Sequence, residues 1–329
     1  MTGLDVVCVG EALVDFLPER AGRRVADVER WTRCTGGSPA NVAVGLARLG
    51  ARSALVGCVG RDEFGDYLRG SLASEGVDVS HLRQTDEGKT GLVFVSLTAS
   101  GDRSFSFYRH RAAELFLGER DVDVPFVQSA RAMHCGTNSL LWPDAQRAVF
   151  QMVEAMRGAG KIVCCDPNLR LHLWKDPSEL RAVIARILPQ CTVAKLSEEE
   201  IPFVTGTEDF REALHRLHGL GVPLPIVTRA EKGAAFLWEG RVETVKAPLV
   251  KVVDTTGAGD GFTASILFGL THLYADDAAV RAARVEDLRA LALFACGVGS
   301  RVTEGMGAVT NLPRRAEVEA FLPAALRTR

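Results

Sequence analysis

The stretch of the sequence richest in chemically useful residues is Val252 to Ala264, which reads VVDTTGAGDGFTA. A β-branched entry leads through small residues into an apolar, helix-forming run. The backbone N–H groups of Gly257, Ala258 and Gly259 are therefore predicted to lie at a helix N-terminus, where such groups bind phosphate oxygens. Glycine and alanine leave room for that close approach. The stretch predicts an anion cradle.

Asp260 is the unusual member of this stretch, because a carboxylate beside a phosphate site repels the ligand unless it transfers a proton or binds a metal. As a general base it could take the proton from an alcohol that attacks a terminal phosphoryl group, an effect of roughly 10²–10⁴-fold on the rate. The alternative role is a helix N-cap, which aspartate fills well. We favour the base, because a cap alone does not need the preceding run of small and hydroxyl residues.

A second polar turn, GGSPAN, runs from Gly36 to Asn41 and enters another helical segment. Paired glycines let the backbone approach a ligand, and Asn41 offers donors and acceptors that suit sugar hydroxyls. A plain turn with a helix cap is the simpler interpretation, and this turn alone favours it.

Other ligand motifs are disfavoured. Gly88-Lys89-Thr90 resembles the end of a P-loop, but Arg83 occupies the place of its first glycine. Phe262 stands where a dinucleotide-binding turn would have its last glycine. His215 and His218 share a predicted helix face without a third metal ligand nearby.

The composition narrows the partners and the compartment. The 329 residues carry a formal net charge of -2, which disfavours nucleic acid and membrane surfaces as partners. We expect a cytoplasmic protein, because the sequence has no apolar run long enough to span a bilayer and no leader pattern at its start. The eight cysteines form no C-x-x-C pair, and several lie in apolar runs, as expected in a reducing compartment.

Short β-branched runs alternate with segments of helical period, which predicts a single α/β domain over 1–329 with a mainly parallel sheet. The predicted strands are Asp5–Val9, Ser53–Val59, Ala130–Cys135, Ile162–Asp166, Thr192–Leu196, Pro225–Thr228 and Ala234–Leu237. The predicted helices are Ala40–Leu49, Asp66–Glu75, Pro143–Arg157, Ser178–Leu188, Glu198–Val204, Phe210–Leu217, Gly259–Leu270 and Val285–Val298.

Two segments, approximately 16–33 and 91–109, interrupt this alternation. In the second, Leu92–Leu97 and Ser104–Tyr108 are predicted strands joined by a turn at 99–102. Such strands would form a small sheet outside the main layer and cover a ligand or a partner's sheet. An ordinary edge hairpin fits the pattern equally well.

The two glycine-rich turns resemble the paired signatures of the ribokinase/PfkB family of sugar kinases, in the same order and about 220 residues apart. Gly50, Gly60-x-Asp62-x-Phe64-Gly65 and Gly307-Ala308 extend the resemblance over nearly the whole chain. The resemblance implies a ribokinase-like fold, in which helices flank a mainly parallel central sheet that carries a small β-sheet lid. It also implies ATP-dependent phosphorylation of a sugar hydroxyl, and a homodimer formed through the lid.

The resemblance assigns roles to individual residues. Asp260 would be the base, with Gly257, Ala258 and Gly259 as the anion hole. The residues implied for the sugar are Asp15, Gly36, Gly37, Asn41, Phe107, Arg109, Asn168 and Arg170. Those implied for ATP are Lys195, Ser197, Thr228, Gly233 and Gly259.

The resemblance also implies metal ions. Glu200 falls where the family has a carboxylate that positions Mg²⁺, with Glu199 as the alternative; without magnesium, these glutamates would be a charged helix start that the dipole favours. Asp254 and Thr256 lie where many members bind a monovalent cation such as K⁺. Ala230 replaces the usual middle glycine of the nucleotide segment, which leaves the local backbone conformation open.

Within the family, the segments around Asp15, Phe107 to Arg109, and Asp166 to Arg170 most resemble fructokinases and also resemble 2-keto-3-deoxygluconate kinases. A guanidinium can hydrogen-bond sugar hydroxyls or clamp a carboxylate, so the two arginines suit either substrate. Phe107 stands where acid-sugar kinases tend to carry tyrosine, and it favours fructose as the substrate. The resemblance implies phosphorylation at the primary 6-hydroxyl or, less commonly in the family, at the 1-hydroxyl. The alternatives are 2-keto-3-deoxygluconate, a nucleoside, and a non-catalytic sensor of nucleotide or sugar.

Overall fold

The computed structural model describes residues 3–20, 22–97, 103–321, 323 and 326. Its strands are β1 (Val6–Val9), β2 (Leu13–Pro18), β3 (Trp31–Gly36), β4 (Ser53–Gly60), β5 (Leu82–Thr85), β6 (Leu92–Leu97), β7 (Arg103–Tyr108), β8 (Ala132–Cys135), β9 (Ile162–Cys165), β10 (Val193–Ser197), β11 (Leu224–Thr228), β12 (Ala234–Trp238) and β13 (Arg241–Val245). Nine of them form one sheet in the order β13-β12-β11-β10-β9-β8-β1-β4-β5. The pairs from β11 to β5 are parallel and the last two, at the β13 edge, are antiparallel.

Helices cover both faces of this sheet. They are α1 (Ser38–Leu49), α2 (Glu63–Ser74), α3 (Val124–Gln128), α4 (Pro143–Gly158), α5 (Pro177–Ile187), α6 (Ile201–Thr205), α7 (Phe210–Gly219), α8 (Ala258–Leu273), α9 (Asp277–Arg281), α10 (Val285–Val302), α11 (Ala308–Asn311) and α12 (Arg315–Val318). In β1, Val6 and Cys8 face the core that contains α1, α8 and α10, whereas Val7 and Val9 face the core that contains α4 and α5. Burial on both faces explains why the central strands read as continuous apolar runs.

A separate four-stranded sheet, the lid, has the order β3-β2-β6-β7. Strand β2 pairs antiparallel with β3 and parallel with β6, and β6 pairs antiparallel with β7. One face of the lid buries Leu13, Leu17, Val93 and Val95. The predicted small sheet is confirmed; the turn predicted at 99–102 lies outside the described residues.

The observed elements differ from the predicted ones mainly at edges and ends. The first lid segment begins at Leu13 and ends at Gly36, because these residues pair in register at the open end of the β2–β3 ladder, the end opposite the connecting loop. Strands β5 and β13 were not predicted, since both are short edge strands with polar residues and therefore lack an apolar run. Helix α6 begins at Ile201, so the predicted start at Glu198 is wrong, and the three glutamates form the turn before it.

Candidate active site

A cavity of about 210 Å³, here called the inner cavity, lies between the lid and the main sheet. Leu13, Val93, Phe105 and Phe107 of the lid form its apolar side. The predicted residues that line it are Asp15, Gly37, Asn41, Phe107, Arg109, Asn168, Arg170, Lys195, Thr256, Gly257, Gly259 and Asp260. The turn at Gly37 and the start of α8 at Gly257, which lie more than 200 residues apart in sequence, therefore meet at this cavity.

Asp260 lies in the first turn of α8 and is 8% exposed. Its carboxylate accepts hydrogen bonds from Ser38 Oγ at 2.6 Å and from Asn41 Nδ2 at 2.7 Å. Burial raises the pKa of Asp260, while these two donors oppose the rise. The carboxylate therefore faces the inner cavity and accepts hydrogen bonds from the turn between Gly36 and Asn41. It does not cap its own helix, because the N-cap residue of α8 is Gly257.

Gly257 is held in a conformation that favours glycine. Its φ is +81°, and a Cβ there would lie 2.6 Å from the Cβ of Ala308. Asp254 fixes the turn, because one carboxylate oxygen accepts from Thr256 N at 2.9 Å and the other from Gly307 N at 2.8 Å. The amide of Ala258 donates to Thr255 O at 3.3 Å, so this member of the predicted anion hole already has a long intrachain bond.

Asp15 lies above Gly36, where a Cβ would come within 2.3 Å of Asp15 Oδ2. Gly36 itself does not line the inner cavity; it makes room for this carboxylate. Burial and, to a smaller extent, the nearby charges of Asp260 and Asp254 raise the pKa of Asp15 to about 7, against the opposing charge of Arg170. The carboxyl group of Asp15 is therefore only partly ionised near neutral pH.

The two predicted arginines have different environments. Arg109 is buried and donates from Nε to Glu114 Oε1 at 2.7 Å, while its Nη2 has no hydrogen-bond partner in the part of the chain that the structure describes. Arg170 Nη1 donates to Leu169 O at 2.9 Å, and its guanidinium makes no ion pair with a described carboxylate. Both side chains line the inner cavity.

The residues important to the inner cavity that were missed from sequence include Glu11, Ser38, Glu114, Asn138 and Asp166. Glu11, Asn138 and Asp166 follow the carboxyl ends of β1, β8 and β9. Ligand sites in open α/β sheets lie at these ends, so polar residues directly after predicted strands were the available signal. Glu114 carries no such signal, because it lies in a short turn after β7.

A second opening of about 560 Å³, the outer cleft, adjoins the inner cavity. All the residues predicted to contact ATP line it: Lys195, Ser197, Thr228, Gly233 and Gly259. Apolar residues form the opposite wall, including Leu249 and Val252, which are 93% and 57% exposed. The apolar face of a nucleobase could pack against this surface.

The backbone conformation of Ala230, which the sequence left open, is seen in the segment from Thr228 to Gly233 that was predicted to contact ATP. Its φ is +48°, so alanine occupies the left-handed region that glycine adopts more readily. Gly233 has a φ of +93°, and a Cβ there would lie 2.0 Å from Val245 O. Glycine is therefore present at position 233, where packing requires it, whereas Ala230 has a strained backbone conformation.

Lys195, Thr255 and Gly259 line both openings and define the junction between them. Lys195 Nζ donates to Asp166 Oδ2 at 2.8 Å, and it would lie 3.0 Å from a Cβ on Gly259. Burial lowers the pKa of Lys195, but Asp166 and other nearby carboxylates outweigh it and the pKa is raised. A fixed ammonium group therefore sits beside the start of α8.

Two of the carboxylates predicted for metal ions, Glu200 and Asp254, accept hydrogen bonds from backbone amides. Glu200 accepts from Leu169 N at 2.6 Å and from Ser197 N at 2.7 Å, so it ties two loops together. Glu199 is exposed at the outer cleft. Among the described residues no group of three histidine, cysteine or acidic side chains is arranged for a metal.

Comparisons with known proteins agree with this geometry. The chain matches the description "pfkB family carbohydrate kinase" over residues 4–315. It is 38% identical to the fructokinase of Klebsiella pneumoniae, over 95% of this chain and 98% of that protein. The fructokinase of Xylella fastidiosa with bound ATP has a TM-score of 0.86 at 32% identity, covering 96% of this chain and 97% of that one. A double mutant of the Vibrio cholerae O395 fructokinase, with fructose, ADP and potassium ion bound, has a TM-score of 0.86 at 33% identity, covering 98% and 100%.

The family match and the fructokinase relatives show a phosphotransferase that uses an alcohol as acceptor. The chain belongs to the pfkB family of carbohydrate kinases. The ribokinase-like fold implied by the sequence is confirmed. No helix among the described residues has the length and apolar character to cross a membrane.

Proposed function

We propose that this protein transfers the γ-phosphoryl group of ATP to the 6-hydroxyl of fructose. The observation that carries the proposal is the position of Asp260, which lines the inner cavity next to the junction with the outer cleft. Fructose would occupy the inner cavity and ATP the outer cleft. The fructose and ATP bound by the related fructokinases support this assignment.

In this mechanism Asp260 accepts the proton from the attacking hydroxyl, and a raised pKa suits that role because a general base works best near the operating pH. Ser38 and Asn41 hold the carboxylate in place. The start of α8 and the ammonium of Lys195 would stabilise the negative charge that grows on the phosphoryl oxygens.

Metal ions would enter this site with ATP. Magnesium keeps several waters and binds phosphate oxygens, so it needs few protein carboxylates, and the exposed Glu199 and the loop-bound Glu200 fit that requirement. The ion would neutralise phosphate charge. For a monovalent cation the candidate is the turn at Asp254 and Thr256. The potassium ion bound by the Vibrio relative supports the choice of ion.

Two further assignments belong to the proposal. We infer a homodimer formed through the lid, because its outer face carries Phe94 between Phe16, Trp31 and Tyr108, with Tyr108 64% exposed. We also assign the protein to a reducing, cytoplasmic compartment, which the eight free cysteines support.

The test is a turnover assay with ATP against fructose, 2-keto-3-deoxygluconate, ribose, tagatose and adenosine, with the product position assigned by NMR. We expect fructose 6-phosphate to be the main product. ATP bound without turnover of any sugar would favour the sensor instead. The second candidate substrate is 2-keto-3-deoxygluconate, which Arg170 favours because its guanidinium has no carboxylate partner among the described residues.

A further inference from the structure

The buried pair formed by Arg109 and Glu114 lies at the wall of the inner cavity. The two side chains are 6% and 1% exposed, and their closest atoms, Nε and Oε1, are 2.7 Å apart. A Cβ on Gly91 would come within 2.5 Å of Glu114 Oε1, so the glycine that precedes β6 leaves the space for this carboxylate. The pair is therefore built into the joint between the lid and the core.

Only part of Arg109 is used by this pair. Its Nη2 is buried without a hydrogen-bond partner among the described residues, and Arg109 is one of the residues that line the inner cavity. A buried donor without a partner costs stability unless a ligand satisfies it. The guanidinium thus offers a hydrogen bond to the ligand while its charge is matched from behind by Glu114.

The remaining charges of the inner cavity are also unfavourable for an anion. Three cations line it, namely Arg109, Arg170 and Lys195, and four carboxylates do so, namely Glu11, Asp15, Asp166 and Asp260. Lys195 is paired with Asp166 at 2.8 Å. With Arg109 neutralised by Glu114, Arg170 is the one lining cation without an ion pair among the described residues.

We propose that Glu114 determines the substrate class: by pairing with Arg109 it turns a guanidinium that could bind a sugar carboxylate into a hydrogen-bond donor for a neutral sugar. Glu114 does not reach the substrate; it acts through Arg109. This inference rests on the proposed sugar kinase activity and adds the residue that excludes acid sugars. Burial raises the pKa of Glu114, and its ion pair with Arg109 opposes that rise.

The test compares kcat/KM for fructose and for 2-keto-3-deoxygluconate in the wild type and in Glu114→Gln. Glutamine keeps the shape and an acceptor for Arg109 Nε but removes the charge. We expect the ratio of acid sugar to fructose to rise at least about tenfold, mainly through a lower KM for the acid sugar. Equal losses for both sugars, or an unchanged ratio, would overturn the proposal.

Two further variants separate substrate selection from folding. Asp121→Asn neutralises another buried acid that pairs with an arginine, Arg83, away from the inner cavity, and it should leave the ratio unchanged. Arg109→Gln/Glu114→Gln removes both charges of the pair, so its ratio should stay close to that of the wild type. This double variant decides the matter if Glu114→Gln does not fold, because a ratio about tenfold or more below wild type would show that Arg109 attracts the sugar carboxylate even when it is paired with Glu114, and would contradict the proposal.

If the wild type phosphorylates no sugar, the proposed function fails before the role of Glu114 is in question. If the wild type phosphorylates fructose and the three variants keep the wild-type ratio, only the role of Glu114 fails. Thermal unfolding of each variant with and without ATP identifies any that are misfolded.

Discussion

The inner cavity and the outer cleft share three residues but are built in different ways. The inner cavity is surrounded by buried charges whose positions are fixed by ion pairs and by glycines that make room for them. The outer cleft offers backbone turns and exposed apolar side chains, and its own ion pair, Glu198 with Arg229, is more exposed than the pairs of the inner cavity. The comparison indicates that the acceptor is selected by charges placed in advance, whereas the nucleotide is bound by the shape of the backbone and by apolar contact.

Gly259→Ala tests the junction, where the two openings depend on the same backbone. The new Cβ would lie 3.0 Å from Lys195 Nζ, which Asp166 holds in place, and it would fill the space beside the phosphoryl group. We expect kcat to fall on the order of 10²-fold. Alanine in a helix is more favourable than glycine by about 1 kcal/mol, so the variant should not lose stability.

The matched control for this substitution is Gly70→Ala in α2, where a Cβ would meet no atom within 4 Å. It should show the gain in stability with unchanged turnover. Turnover near the wild-type rate in Gly259→Ala would mean that the phosphoryl group does not pass this junction.

The ionisation of Asp15 should change the affinity for the sugar in the inner cavity and not the affinity for ATP in the outer cleft. With a pKa of about 7, the carboxylate is mostly protonated at pH 6 and mostly ionised at pH 8. If it accepts hydrogen bonds from the sugar, the affinity measured by calorimetry without ATP should be roughly tenfold weaker at pH 6 than at pH 8. ATP affinity should not follow the same curve.

The same pKa has a consequence for stability. Because the folded protein binds this proton more tightly than the unfolded chain does, the free energy of unfolding contributed by Asp15 falls as the pH rises from about 4 to about 7. Asp15→Asn should remove both effects. Sugar affinity in the wild type that does not change with pH would contradict the assigned contact.

Ala230→Gly tests the outer cleft alone and should have the smallest effect. Relief of the left-handed strain at φ +48° is partly offset by the greater freedom of glycine in the unfolded chain, so we expect a gain in unfolding free energy of at most about 1 kcal/mol. Chemical denaturation measures it, and the KM for the sugar should be unchanged. Ala230→Val should destabilise the protein, since a β-branched residue is poorly tolerated at this φ.

The sequence predicted the apolar central strands and the two glycine-rich turns, because these features depend on local residue types. It did not predict the edge strands, whose pairing depends on neighbours far away in the chain. The Asp166–Lys195 pair joins β9 to β10, and the Arg109–Glu114 pair lies in a short turn, so neither has a spacing that identifies it. The role of Glu200 in tying two loops was equally hidden, because its partners are backbone amides.

The rate of the chemical step in Asp260→Asn, measured by rapid quench with the enzyme saturated in both substrates, tests the central claim most directly. Asparagine can still accept from Ser38 but cannot take the proton of the attacking hydroxyl. We predict a rate lower by about 10²–10⁴-fold with sugar affinity within a few-fold of wild type. A rate close to that of the wild type would show that this carboxylate is not the base and that the two openings do not work as described.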